Sequence, residues 1–278
     1  MYSGTTFHKL SGNIIGAHQK IDRVARNQLN SLIPGNNFPR IGLILKFEGN
    51  RGPDSIKRKS PGKNEEWHFI KPSDPNDTKL IEIICYHYDE LVSALKSKNL
   101  ERSSFEAAWL AHAIVDGLTP AHHYPYEQEL IKLREGEGIE TRSSIIRKLI
   151  IPGRSSLNII KNNWQMWGPK GLFSMHAAFE LGFATLIAPL RFNDILPKPN
   201  YLSSISKMKL PKWYRSLVSQ VDKLNIYETY YKTGWTRKLS KQVRKELAPT
   251  LINAVTAVWY LAYNEAINKD NTLITDKS

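Results

Sequence analysis

The chain has 278 residues, 41% hydrophobic and 23% charged, which supports a full core and excludes a disordered polymer. Its 39 lysines and arginines against 26 acids leave a formal charge of +13, which favours an anionic partner (nucleic acid, an acidic membrane surface or a phosphate-bearing substrate) or serves solubility alone. Cys85 is the single cysteine, so an intramolecular disulfide and a thiolate metal motif are both excluded.

No run approaches the roughly 20 apolar residues of a membrane span. The opening "MYSGTTFHKLSGNIIGAHQK" lacks the basic-then-apolar order of a signal peptide. A soluble, cytoplasmic protein is expected, or a secreted one if a leader has been trimmed.

Taken in chain order, Ile14, Ile15, Ile21, Val24, Ala25 and Leu32 repeat at helical spacing and predict a helix over about 14–32. Residues 33–76, rich in Gly and Pro, read as loop. Leu80, Ile84, Leu91, Ala94 and Leu95 predict a helix over about 77–97. The segment Phe105–Val115 is apolar nearly all round and should be a central helix. Residues 171–188 and 248–267 read the same way. Between them, 190–212 holds Pro189, Pro197, Pro199 and Pro211 at or within its borders and reads as irregular. The tail after 268 is polar and expected to fray. No alternating strand pattern is sustained. The expectation is an all-α protein, folded as one domain over 1–278, because 248–267 is too apolar to stand in a separate lobe.

Chemistry concentrates in "AWLAHAIVDGLTPAHHYPYEQE", residues 107–128. His112 and Asp116 lie four apart, hence on one helical face. Pro120 then breaks the helix, which lets His122 return toward the same cavity. "HAAFE" repeats the spacing with His176 and Glu180. Buried carboxylates need a partner or a cation, and no Lys or Arg lies within 105–123 or 171–190. Two His-carboxylate pairs on buried helices are the geometry of metal sites in a helical bundle. Imidazole and carboxylate without thiolate suit Zn²⁺ better than Mn²⁺ or Fe²⁺. His123 is a local alternative to His122. His87, among tyrosines, reads as structural.

These residues resemble the zinc-dependent phospholipase C family, whose fold is shared with the S1/P1 nucleases. Its hallmark His-x-x-x-Asp-x-x-x-x-Pro-x-His is matched by "HAIVDGLTPAH", and its later His-x-x-x-Glu by "HAAFE". Asp54 in "GPDS" precedes His68 in "HFIKPSDP" by the family's interval of fourteen. His18 and Ala25 in "HQKIDRVA" are similar to its first helix, and "LINAVTAVWYLAY" to its last. The resemblance implies a multi-helix bundle with two or three zinc ions. Asp54, His68, His112 and Asp116 would hold the first, with Asp54 also orienting or deprotonating the attacking water. His122, His176 and Glu180 would hold the second, leaving a coordination position open. Asp116 would bridge to a third shared with His18.

Two departures stand out. The family closes its third site with an N-terminal Trp, whereas this chain starts at Met1 and has no Trp before Trp67; His8 is a candidate substitute. The stretch between His122 and His176 is longer than usual, with a helical insertion over about 126–165 that would cover the cleft.

The resemblance implies phosphodiester hydrolysis by a metal-activated water. Glu180 and the lack of disulfides favour a phospholipid head group over single-stranded nucleic acid. Lys238, Lys241 and Lys245 form a solvated face or a contact for anionic membrane or nucleic acid. Trp164, Trp167, Trp213, Tyr230, Tyr231 and Trp235 read mostly as core, otherwise as a head-group pocket or stacking platform. A catalytically silent zinc protein with an anionic partner is the rival expectation.

Overall fold

The computed structural model describes residues 16–33, 35, 37–48, 52–54, 68–138, 141–142, 144–193 and 195–275, with backbone alone at 145, 148 and 268–275. The chain is all-α among these residues. Helix α1 (Ala17–Leu32) turns a stripe containing His18, Ile21, Asp22, Ala25 and Leu29 inward at three- and four-residue spacing. Ile14 and Ile15 of its expected start lie outside the described residues. Helix α2 (Ile41–Glu48) falls inside the stretch read as loop. It is only eight residues long, but Ile44 and Phe47 anchor it in the core, so packing supplies what its length cannot.

Helices α3 (Lys79–Lys96) and α4 (Leu100–Gly117) form an antiparallel hairpin. Lys98 takes a positive φ in the short connection, and the Asn99 side chain caps α4 by accepting from the Arg102 amide at 3.0 Å. Helix α4 is buried continuously from Ser103 to Gly117, as an all-round apolar segment requires.

After the 3₁₀ turn Pro120–His123 come α5 (Tyr126–Leu133), α6 (Ile145–Leu149), α7 (Ser156–Trp167) and α8 (Leu172–Ile187). Among the described residues the stretch 190–212 is irregular as expected up to Lys198 and helical over most of the rest. Pro199 opens α9 (Pro199–Ser206) and Pro211 sits in the first turn of α10 (Leu210–Asp222). A first-turn proline forfeits no intrahelical hydrogen bond and has its φ preset.

The chain continues through α11 (Ile226–Thr233), α12 (Arg237–Gln242), a π-helical turn at Val243–Leu247 and α13 (Ala248–Thr275). Helix α13 runs on to Thr275, into the tail expected to fray, where neither Gly nor Pro interrupts it. It packs on α1, α3 and α4. The Trp259 indole donates to the Ala107 carbonyl at 3.0 Å, and Thr256 donates to Gln28 at 3.0 Å. One continuous core runs from Ala17 to Ala266 and includes Leu202 and Ile205 of the proline-rich stretch. A small satellite of Leu130, Ile151 and Met166 sits under α5–α7. No described helix is long and apolar enough to cross a membrane.

Candidate metal centre

Helix α4 sets His112 and Asp116 on one buried face and stops one residue later. Gly117 has to be a glycine, because a Cβ there would lie 2.1 Å from the Tyr214 Oη and 2.5 Å from Leu80. Tyr214 uses that gap to donate to the Ile114 carbonyl at 3.1 Å. The turn that follows is fixed by Thr119 Oγ1 donating to Val115 O at 2.7 Å and by the His122 amide donating to Thr119 O at 2.8 Å. His122 thereby swings back under the helix end. Its carbonyl accepts from the Ile70 amide at 3.2 Å, and its Nδ1 donates to the His68 carbonyl at 3.0 Å. This clasp draws the chain at 68–70 onto the centre.

All eight residues singled out from the sequence meet here. Asp54, His68, His112 and Asp116 offer ligand atoms that all lie within 4.8 Å of one another, as do those of His122, His176 and Glu180. Asp116 stands at the middle. Its oxygens lie 2.5 Å from His68 Nδ1, 3.0 Å from His112 Nε2, 3.2 Å from His18 Nε2 and 3.7 Å from His122 Nδ1. Asp54 Oδ1 is 3.4 Å from His112 Nε2. In the second cluster, Glu180 Oε1 is 2.9 Å from His122 Nε2 and 3.0 Å from His176 Nε2, and the two rings stack at 5.0 Å. Phe69 and Tyr126 stack on each other beside His176 and wall this cluster.

Two acids of the centre were missed from the sequence. Glu48, the last residue of α2, is fully buried with Oε1 2.9 Å from His112 Nδ1 and 3.7 Å from His18 Nδ1. The His18 and His112 rings lie parallel at 3.9 Å, so both turn Nδ1 toward Glu48 and Nε2 toward Asp116. A neutral imidazole has one lone pair to offer a cation, and a carboxylate accepting at the other nitrogen decides which. His18, Glu48 and His112 also form a third group of potential ligands. However, His112 cannot give the same lone pair to both sides, and Asp54, His68 and Asp116 all lie on the Nε2 side. Asp22, one turn after His18 on α1, is buried behind this pair. Burial, then the Glu48 charge, pushes its carboxyl well above the usual range. Its spacing from His18 repeats the His112–Asp116 interval, a signal that was available in the sequence. Glu48 gave none, since its partner is 64 positions away.

The electrostatics show whether a divalent cation fits. Burial pushes His122 down to about 4, so its ring is neutral and carries one proton. That proton is on Nδ1, because a carbonyl can only accept. Burial opposes ionisation of Glu180, but nearby positive charge, that of His176 among the described residues, outweighs it and holds the carboxyl well below its usual range. With the His122 proton committed to the His68 carbonyl, the ring turns a lone pair toward Glu180 Oε1 at 2.9 Å, a contact that a cation between them would relieve. His18 Nε2 and His112 Nε2 also sit close to Asp116. Burial disfavours a charge on His112, but Glu48, Asp116 and Asp54 outweigh it and hold the metal-free imidazole well above its usual range, so a cation at Nε2 would take the place of a proton. Around tetrahedral zinc, neighbouring N and O ligands are about 3.3 Å apart. Separations of 2.9 to 3.4 Å at His18, Asp54, His112, His122 and His176 bracket that figure, whereas His68 Nδ1, 2.5 Å from Asp116, is at hydrogen-bond distance and would draw back to admit an ion; the donor set fits the ion. Asp54, also held below its usual range by His112 against the cost of burial, is the more exposed edge of the first cluster. The side chains of Asp54 and His68 are 28% and 23% exposed and those of His18, His112 and Asp116 at most 1%, so the centre opens to solvent on one side only.

The remaining assignments separate cleanly. His123 turns away and bonds Gly117 O at 2.9 Å, leaving His122 as the member of the cluster. His87 is structural, its Nδ1 2.6 Å from Glu106, which Arg102 also holds at 2.5 Å. His8 and Trp67 lie outside the described residues. Lys238, Lys241 and Lys245 are solvated, Trp213 and Tyr230 are core, Trp235 is half-buried and stacks on Phe179, and Tyr231 is exposed. Trp164 and Trp167, however, face solvent. In comparisons with known proteins, no family model matches the chain, and neither a curated protein nor a solved structure matches it.

Proposed function

We propose that the protein is a zinc-dependent phosphodiesterase similar to the phospholipase C and P1 nuclease family, acting on a phospholipid head-group diester. The observation that carries this reading is one buried carboxylate, Asp116, ringed by His18, His68, His112 and His122 from separate parts of the chain. His112, Asp116, His68 and Asp54 would hold one ion, and His122, His176 and Glu180 a second. His18 and Asp116 would contribute to a third. Bound ions of this kind polarise phosphoryl oxygens and acidify water.

The chain's own groups supply the rest. Asp54, ionised and partly exposed, accepts the proton of the attacking water. Phe69 and Tyr126 keep bulk water off the second cluster. Glu180 favours the phospholipid over the nucleic-acid branch, as the resemblance implies.

The test is direct. Purified protein should carry two or three zinc ions by elemental analysis. His112→Ala and Asp116→Asn should each lower phosphatidylcholine hydrolysis at least about a hundredfold, given what removal of a metal ligand or its support costs, with helical content retained. No zinc uptake after supplementation, or full activity in either variant, refutes the reading. Faster cleavage of single-stranded DNA than of phosphatidylcholine in the same preparation transfers it to the nuclease branch.

A further inference from the structure

Residues 141–179 contain six lysines and arginines and no aspartate or glutamate. The same stretch collects the exposed apolar surface of the molecule. Among the described residues 17 large hydrophobic side chains are exposed, and nine of them fall within 146–173, too dense a grouping to be the scattered exposure ordinary for a surface.

Helix α7 is turned inside out. Its inner side is closed by Met166, 3% exposed, by Asn162 donating to Pro152 O at 2.8 Å, and by Asn163 exchanging hydrogen bonds with Ile151. Leu157, Ile160 and Trp164, spaced three and four apart, point the other way and are 67–77% exposed. The Trp167 indole donates to Leu149 O at 2.8 Å and ties α7 to α6, which adds Ile146 and Leu149 to the same apolar region. Hydrogen bonds on the inner side leave the outward stripe no room to rotate into the core.

We propose that this α6–α7 face is a docking surface for an anionic lipid bilayer. Aliphatic side chains enter the acyl boundary, the indole of Trp164 sits at head-group depth, and Arg147 and Lys161, both exposed, meet lipid phosphates. The chemistry disfavours the other occupants. Nucleic acid offers nothing to Leu157, Ile160 or Ile146, since base stacking needs aromatic faces and phosphates need cations alone. Arg142 and Arg154 of this stretch are paired by Glu127 and Glu135, but a two-fold contact with a second copy would still set the exposed Arg147 and Lys161 against themselves. The inference goes beyond the hydrolase reading and needs no metal. It also places the membrane beside α8, which carries His176 and Glu180 and on which α7 packs.

The experiment uses the full chain after chelation, so that turnover cannot contribute. Co-sedimentation with phosphatidylcholine vesicles is compared with that on mixed phosphatidylcholine–phosphatidylglycerol vesicles. The protein should bind the anionic vesicles with a blue shift of tryptophan emission and bind neutral ones weakly. Leu157→Ser with Ile160→Ser, which spares Trp164 as reporter, should weaken partitioning about tenfold while circular dichroism stays unchanged. Arg147→Glu with Lys161→Glu should abolish the preference for anionic vesicles, and added salt should mimic it. Three results overturn the proposal: no binding to anionic vesicles, equal binding by the serine pair, or a dimer in sedimentation that the serine pair turns into monomer. A chain that binds vesicles but cleaves no phosphodiester would sink the hydrolase reading and leave this one standing.

Discussion

Glu48 shows how one residue can set another. Its carboxylate accepts from His112 Nδ1 at 2.9 Å and so turns His112 Nε2 toward Asp116, while His18 Nδ1, 3.7 Å away, feels its charge without a hydrogen bond. A Gln at 48 keeps an acceptor of the same shape but loses the charge that strengthens the His112 donor. Glu48→Gln should therefore retain the zinc stoichiometry of the native protein and weaken zinc binding by about tenfold in a chelator competition. Loss of one ion from the count would instead make Glu48 a ligand. Residue-scale legibility follows the same physics. His112 with Asp116 and His176 with Glu180 announce themselves because four positions make one helical face, and His18 with Asp22 carries the same mark. Glu48 is the lone acid closing "IGLILKFE" and meets its partners only through the tertiary fold.

At the scale of elements, the centre depends on α4 ending where it does. The Gly117 gap admits Tyr214, and Tyr214 in turn holds the Ile114 carbonyl at the helix end. Gly117→Ala has to displace either the phenol or Leu80. It should cost about 1–3 kcal/mol in denaturant unfolding and should lower zinc affinity through the shifted His122 turn; an unchanged midpoint would show that Tyr214 moves freely. Helix α7 illustrates the opposite limit of sequence reading. The repeat of Leu157, Ile160 and Trp164 marks a helical face, but periodicity alone does not say whether that face looks at the core or away from it. The two prolines that open α9 and α10 look like breakers until their position in the first turn is known.

For the whole molecule, the proposed function makes stability a function of loading, because the donors of the centre would share one core with the ions. Ions that bind only the folded chain stabilise it by mass action, so chelation should lower the thermal midpoint by on the order of 10 °C for two tight sites. No change would mean that the donors are satisfied without cations. The metal-free protein should also be acid-sensitive. The His122 pKa is lowered from 6.5 to about 4 on folding, so between those values the unfolded chain binds more protons. Stability should fall as pH drops through that window, by roughly 3 kcal/mol from this group alone. Asp116 and Glu180, also held low, add losses of the same sign at still lower pH, whereas Asp22, held well above its usual range, gains stability as pH falls and opposes them. The His122 share is therefore the difference between the native chain and His122→Asn, and equal slopes from pH 7 to about 4 would place the His122 proton elsewhere.

The clasp between His122 and the 68–70 segment has a consequence for how a loaded centre would empty. One imidazole is anchored through Nδ1 to the segment that carries His68, and its Nε2 belongs to the second cluster. Withdrawal of His68 slackens that anchor, and a rotation of the His122 ring tugs the segment in return. Stripping by a competing chelator should therefore run as a single cooperative step, with no long-lived species that has lost only one of the two neighbours.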